Sequence, residues 1–184
     1  MNMGNEYLCP VCGITICLHR NATTIHNHYQ NAIASMLRNK GYHVKLEFPL
    51  NIQGISFNLD SIPCVFSEFY DEKKALKWNF VDIWAKKNKE LILLEVEGTS
   101  DNIPCMAIKV NKMNNYNKNA RVVIFSAEQY INKQFAKKNK KIIKELLSTA
   151  EDYSDLNPYI YNELFSKNGL ICEYWNENKL KKML

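Results

Sequence analysis

The sequence has no uninterrupted apolar run approaching the ~18 residues a membrane span requires. No transmembrane helix and no membrane partner are therefore expected. Residues 1–8 carry no basic stretch leading into a long apolar run, so no secretory leader is expected and the location predicted is cytoplasmic. Internal repeats and low-complexity linkers are missing, which excludes a solenoid or an array. Histidine is scarce: all four lie before residue 44, none beside the acidic residues of the later strands. No strand–CxxC–helix pattern surrounds the cysteine pair near the N-terminus, which argues against a thioredoxin-like redox motif.

What remains suits a globular domain. The 184 residues are the size of one domain with a small appendage, and 46 % are apolar, enough for a core. The net charge of +5 is unevenly spread. Residues 109–149 hold 10 basic and 2 acidic side chains, whereas residues 1–108 hold 10 and 11. A block of this kind suits a polyanion, because neutralising phosphates releases their counterions; a solvated lysine-rich helix face is the plainer alternative. Three of the six cysteines, Cys64, Cys105 and Cys172, are scattered in apolar surroundings and read as small buried thiols in a reducing compartment.

Periodicity predicts the elements. Tyr29, Ile33, Met36 and Leu37 recur at helical spacing within residues 26–40, with Thr24 or Asn27 as cap and Gly41 as stop. Strands are expected over residues 42–50, 78–85 and 91–97, the last two joined by a polar turn at residues 86–89. Residues 52–71 read as strand or loop. A helix follows over residues 104–116, a strand over 121–125 and a long basic helix over 129–149. The tail reads as a short helix near residues 158–165 and a strand over 170–174. This order makes an α/β domain around a mixed sheet.

Three acids stand out. Phe80, Asp82 and Trp84 share one face of their strand; Glu95 and Glu97 share a face of the next, with Val96 turned away. A turn centred between Asn88 and Lys89 puts Asp82 opposite Glu95, with Cβ atoms about 4.5–5.5 Å apart. Carboxylates that close repel unless a cation lies between them, and a hard divalent ion with oxygen ligands resolves the conflict. The alternative is that the acids lie on the sheet rim and pair with lysines.

Asp82 in Val81-Asp82-Ile83 and Glu95-Val96-Glu97 in this order of elements resemble the PD-(D/E)XK nuclease superfamily, over roughly the middle half of the chain. The resemblance implies a restriction-endonuclease-like mixed sheet flanked by helices. It also implies a Mg²⁺- (or Mn²⁺-) dependent endonuclease cutting DNA, with a homodimer expected. Asp82, Glu95 and the Val96 carbonyl would hold the metal, and Gln30 matches the acid or glutamine of the family's first helix. Glu97 replaces the family's lysine; it could act as a general base or a further ligand, with Lys109 of the next helix as substitute cation. Two other outcomes stay open: a junction-specific nuclease, and a catalytically inactive nucleic-acid-binding module of the same fold.

The N-terminal segment is expected to be a separate small element, residues 1–25, preceding a nuclease-like domain of residues 26–184. Cys9-Pro10-Val11-Cys12-Gly13 is a tight turn of zinc-knuckle type, continued by Cys17 and His19. These four are the expected ligands of a structural Zn²⁺, with His26 or His28 as alternatives for the fourth position. Unligated cysteines are the alternative to any metal.

Overall fold

In a computed structural model the description covers residues 6–9, 11–12, 15–17, 22–62, 78–97, 103–127 and 160–183. Two short strands, β1 (Glu6–Leu8) and β2 (Thr15–Cys17), pair antiparallel and carry the Cys9–Cys12 turn between them. Helix α1 (Ala22–Asn39) starts before the expected position, so Thr24 and Asn27 lie inside it instead of capping it. It ends where Gly41, at φ +84°, closes the turn.

The main sheet has the order β3-β4-β5-β6-β7: His43–Pro49, Phe80–Lys87, Glu90–Glu97, Arg121–Ser126 and Glu173–Trp175. The first three strands are antiparallel; β6 and β7 run parallel to β5. Helix α2 (Ile103–Tyr116) crosses from β5 to β6. The sheet is thus mixed and flanked by helices. Strand β4 begins two residues later than expected and the turn contracts to Asn88–Lys89, with Asn88 at φ +53°. The described part of the uncertain segment after β3 is loop with one 3₁₀ turn, Leu59–Ser61. A π turn (Ile160–Leu164) runs into the short helix α3 (Phe165–Lys167), and a terminal helix α4 (Glu177–Met183), not expected, follows β7. The basic helix expected over residues 129–149 lies outside the described residues, as does Cys64. Among the described residues no helix is long and apolar enough to cross a membrane.

Both faces of the sheet are covered. Ile25, Tyr29, Ile33, Met36 and Leu37 of α1 pack on Ile83, Ala85, Ile92, Leu94, Val96 and Phe125. Met106, Ala107, Val110 and Met113 of α2 pack on Leu91, Leu93, Val122 and Ile124. The continuous apolar run 91–94 serves both faces by simple alternation, as a central strand must.

The alternation breaks at one place. Ile83 packs beneath α1, yet Val81, two positions earlier, packs beneath α2. On the neighbouring strand Leu46 packs with the first group and Phe48 with the second. Between them Glu47 is left-handed, φ +48°. A non-glycine residue in that region costs about 1–3 kcal/mol and is held there by its surroundings. The pleat therefore switches faces at Glu47 and Asp82, where the sheet meets the carboxylates.

Candidate functional site

The hydrogen-bonded register of β4 with β5 runs from Lys87–Glu90 to Ile83–Leu94. Its continuation sets Asp82 against Glu95, as the Asn88–Lys89 turn requires. The ladder stops there, and the Asp82 carboxylate takes over: its Oδ2 accepts the Val96 N–H at 2.7 Å. The same oxygen lies 3.0 Å from Nε2 of His26 on α1. One turn further along that helix, Gln30 donates to the Asp82 carbonyl at 3.1 Å and to Glu47 Oε1 at 2.5 Å. Asp82 is thus gripped by α1 and β5 together.

Glu95 is gripped from the opposite side. It is 1 % exposed, and its Oε2 accepts from Lys109 of α2 at 2.5 Å. The Lys109 ammonium also lies 3.2 Å from the centre of the Trp78 ring. Lys112, one turn on, donates to the Trp78 carbonyl at 2.5 Å and to Asn79 Oδ1 at 3.1 Å, and so pins the entry to β4.

The electrostatics follow from burial and crowding. Burial pushes the Glu95 carboxyl well up, and the charge of Asp82 pushes it further, against the pull of Lys109. Burial opposes charge on Lys109 too, but Glu95, Glu97 and Asp82 outweigh it and hold the amine charged. Burial works against the Asp82 anion; the hydrogen bond from His26 and the charge of Lys109 overcome this and bring its pKa down. Among the described residues, Asp82, Glu95 and Glu97 face two cations, Lys109 and His26, three carboxylates to two positive charges. Glu97, half-buried at the end of β5, is felt electrostatically by both Glu95 and Lys109.

The structure therefore brings Asp82, Glu95, Gln30 and Lys109 into one region with Glu97 at its rim. Two expectations need correction. The histidines are remote from the acids only along the chain: His26 touches Asp82, which also removes it as the fourth thiolate-site ligand. Asp82 and Glu95 are each held by a cation of the protein, and the three acids do not converge as a bare trio; among the described residues the three-ligand groupings within 4.8 Å do not include them. Sequence reading missed Trp78, Glu47 and the His26 contact. The signal for His26 was its i, i+4 spacing to Gln30, which puts both on one helix face.

The grouping that does occur is Cys9, Cys12 and His28, with ligand atoms all within 4.8 Å of one another. Cys12 Sγ is 3.7 Å from His28 Nε2, and the Cys9 thiol is buried, 3.8 Å from the Tyr29 hydroxyl. Two soft sulfurs and an imidazole are a donor set that fits a metal such as zinc. His28, an alternative in the sequence, is the histidine the fold places there; the side chains of Cys17 and His19 lie outside the described residues. A cavity of about 600 Å³ at the far end of the β4–β5 hairpin, lined by Trp84, Lys86, Lys89 and Tyr116, touches neither site. Comparison with protein-family models, with curated proteins and with solved structures finds no match.

Proposed function

We propose that the chain is a metal-dependent DNA endonuclease of the PD-(D/E)XK type, in the cytoplasm, with a small zinc-stabilised N-terminal element. The observation that carries this reading is the buried triplet Asp82, Glu95 and Lys109, drawn from β4, β5 and α2 of a helix–strand–strand–strand–helix–strand core. Lys109 supplies the cation that Glu97 cannot. The excess of carboxylates over cations suits a divalent ion, and Asp82, Glu95 and the Val96 carbonyl would hold Mg²⁺ or Mn²⁺. Such an ion, when bound, polarises a phosphoryl oxygen and acidifies water.

The chain's own groups do the remaining work. Lys109 presents a fixed positive charge, preorganised at no cost during reaction, to a phosphate whose negative charge grows. Gln30 and His26 keep Asp82 in place from α1. Glu97 stands at the rim as the proton acceptor. Cys9, Cys12 and His28 would hold Zn²⁺ with Cys17 or His19 as the fourth ligand, closing a structural site. The basic segment 109–149 would contact phosphates, which sets register without reading bases. Cutting both strands of a duplex calls for two such centres, hence a homodimer.

The test is incubation of the purified protein with supercoiled, linear and branched DNA under Mg²⁺, Mn²⁺ or no added divalent ion. Asp82→Ala and Glu95→Ala should abolish cleavage; wild-type cleavage in either removes the assignment. One observation favours a second reading, a nucleic-acid-binding module without catalysis: both acids are already paired with cations of the protein. Metal-independent DNA binding with no cleavage of any substrate would select it.

A further inference from the structure

Large apolar side chains that stay open to water are few among the described residues, and two of them flank the carboxylate centre. Trp78 is 37 % exposed and Phe80 50 % exposed. They stand four and two positions before Asp82, at the entry to β4, where Phe80 pairs with Pro49. An exposed ring adds little to folding, since burial of apolar surface is what stabilises. Yet Trp78 is held firmly. The buried Lys112 ammonium donates to its carbonyl and to the side chain of Asn79, and the Asn79 carbonyl accepts the Leu50 N–H at 2.6 Å. The Lys109 ammonium occupies one face of the indole while bonding to Glu95. That leaves the opposite face and the edge as the parts that can meet a ligand. A flat, rigid, half-open ring is thus fixed directly on the proposed reaction centre.

We propose that Trp78, with Phe80 beside it, is a stacking platform for an unpaired nucleobase, so that the strand this centre takes is single-stranded or branched DNA and not an intact duplex. The inference rests on the nuclease reading above and specifies its substrate. Every base has a π face, and stacking on an aromatic side chain contributes about 1–3 kcal/mol per base with little sequence preference. In a duplex those faces are covered by neighbouring pairs, and only an unpaired or extruded base can offer one. The alternative role for the indole is to shield the Lys109–Glu95 pair from water. Leucine would retain that shielding but not the stacking.

The experiment measures binding by the full chain without added Mg²⁺, using labelled dT12 and a duplex of the same length at one salt concentration. Wild type should prefer dT12 by roughly tenfold or more, with quenching of tryptophan fluorescence. Trp78→Ala and Trp78→Leu should weaken dT12 binding by about 5- to 150-fold, the stacking contribution converted to affinity, and leave duplex binding nearly unchanged. Trp78→Phe should retain most of the affinity, and Phe80→Ala, at the more open ring, should lose a few-fold. Equal affinity for the two DNAs, or a Trp78→Leu variant that binds dT12 like wild type, overturns the proposal. Duplex binding with dT12 ignored would sink this inference and leave the nuclease reading standing. Failure to bind either DNA would remove both.

Discussion

His26 Nε2 lies 3.0 Å from Asp82 Oδ2 and joins the second turn of α1 to the centre of the sheet. Each partner alters the other's proton affinity. The hydrogen bond to Asp82, and then its charge, raise the imidazole to about 9 despite burial.

That pair ties stability to pH. His26 has a raised folded pKa, so its contribution is complete below the ordinary value of 6.5 and disappears as pH rises through about 9. Asp82 has a lowered one, so its contribution is present above 3.8 and disappears as pH falls through the folded value. Melting temperature should therefore decline from pH 6.5 towards 9, and His26→Gln should flatten the decline. Parallel thermal melts of the two proteins across that range check this; matching declines would rule out the pair as the cause.

Among the described residues, Lys109 is the cation hydrogen-bonded to the buried Glu95 carboxylate. Lys109→Met leaves that acid without compensation and should cost about 3–5 kcal/mol, the usual penalty for breaking a buried pair. Adding Glu95→Gln should recover much of the loss, since a neutral amide needs no counter-charge. Urea denaturation of the single and double variants measures both, and no recovery in the double variant would show that the pair is not what Lys109 stabilises.

Metal at the N-terminal cluster should depend on Cys9, Cys12 and His28 and not on His26. Elemental analysis should find about one Zn²⁺ per chain in wild type, as a closed structural site requires. His28→Ala and Cys12→Ser should lose it, while His26→Ala should keep it. Zinc absent from wild type, or retained by His28→Ala, contradicts the assignment.

Glu97 should be a working part of the centre, because Glu95 and Lys109 both feel its charge. Glu97→Gln should lower single-turnover cleavage by about a hundredfold, the scale of a lost general base. Glu97→Lys would install the lysine usual in the proposed family, yet it should not raise cleavage, since the new cation would repel Lys109. Wild-type rates in Glu97→Gln across a Mg²⁺ titration would make Glu97 a bystander.

The sequence by itself determined the elements and the pairing of the acids' strands. Period-two and period-3.6 patterns located β3 to β6, α1 and α2, because those patterns are direct consequences of backbone geometry. The Asn88–Lys89 turn set the register that puts Asp82 against Glu95, since a hairpin turn leaves one pairing available. Lys109 was visible as the nearest basic residue of the next helix. The face switch at Glu47 and Asp82 was not legible, because a left-handed glutamate carries no local signal. Nor was the division of labour between His26 and His28. Two histidines two positions apart point to different sides of a helix, and only the docking of α1 on the sheet decides that one meets Asp82 and the other the thiols. Trp78 is the same case: its ring sits over Lys109 because β4 and α2 meet there in space, a contact that no spacing along the chain encodes.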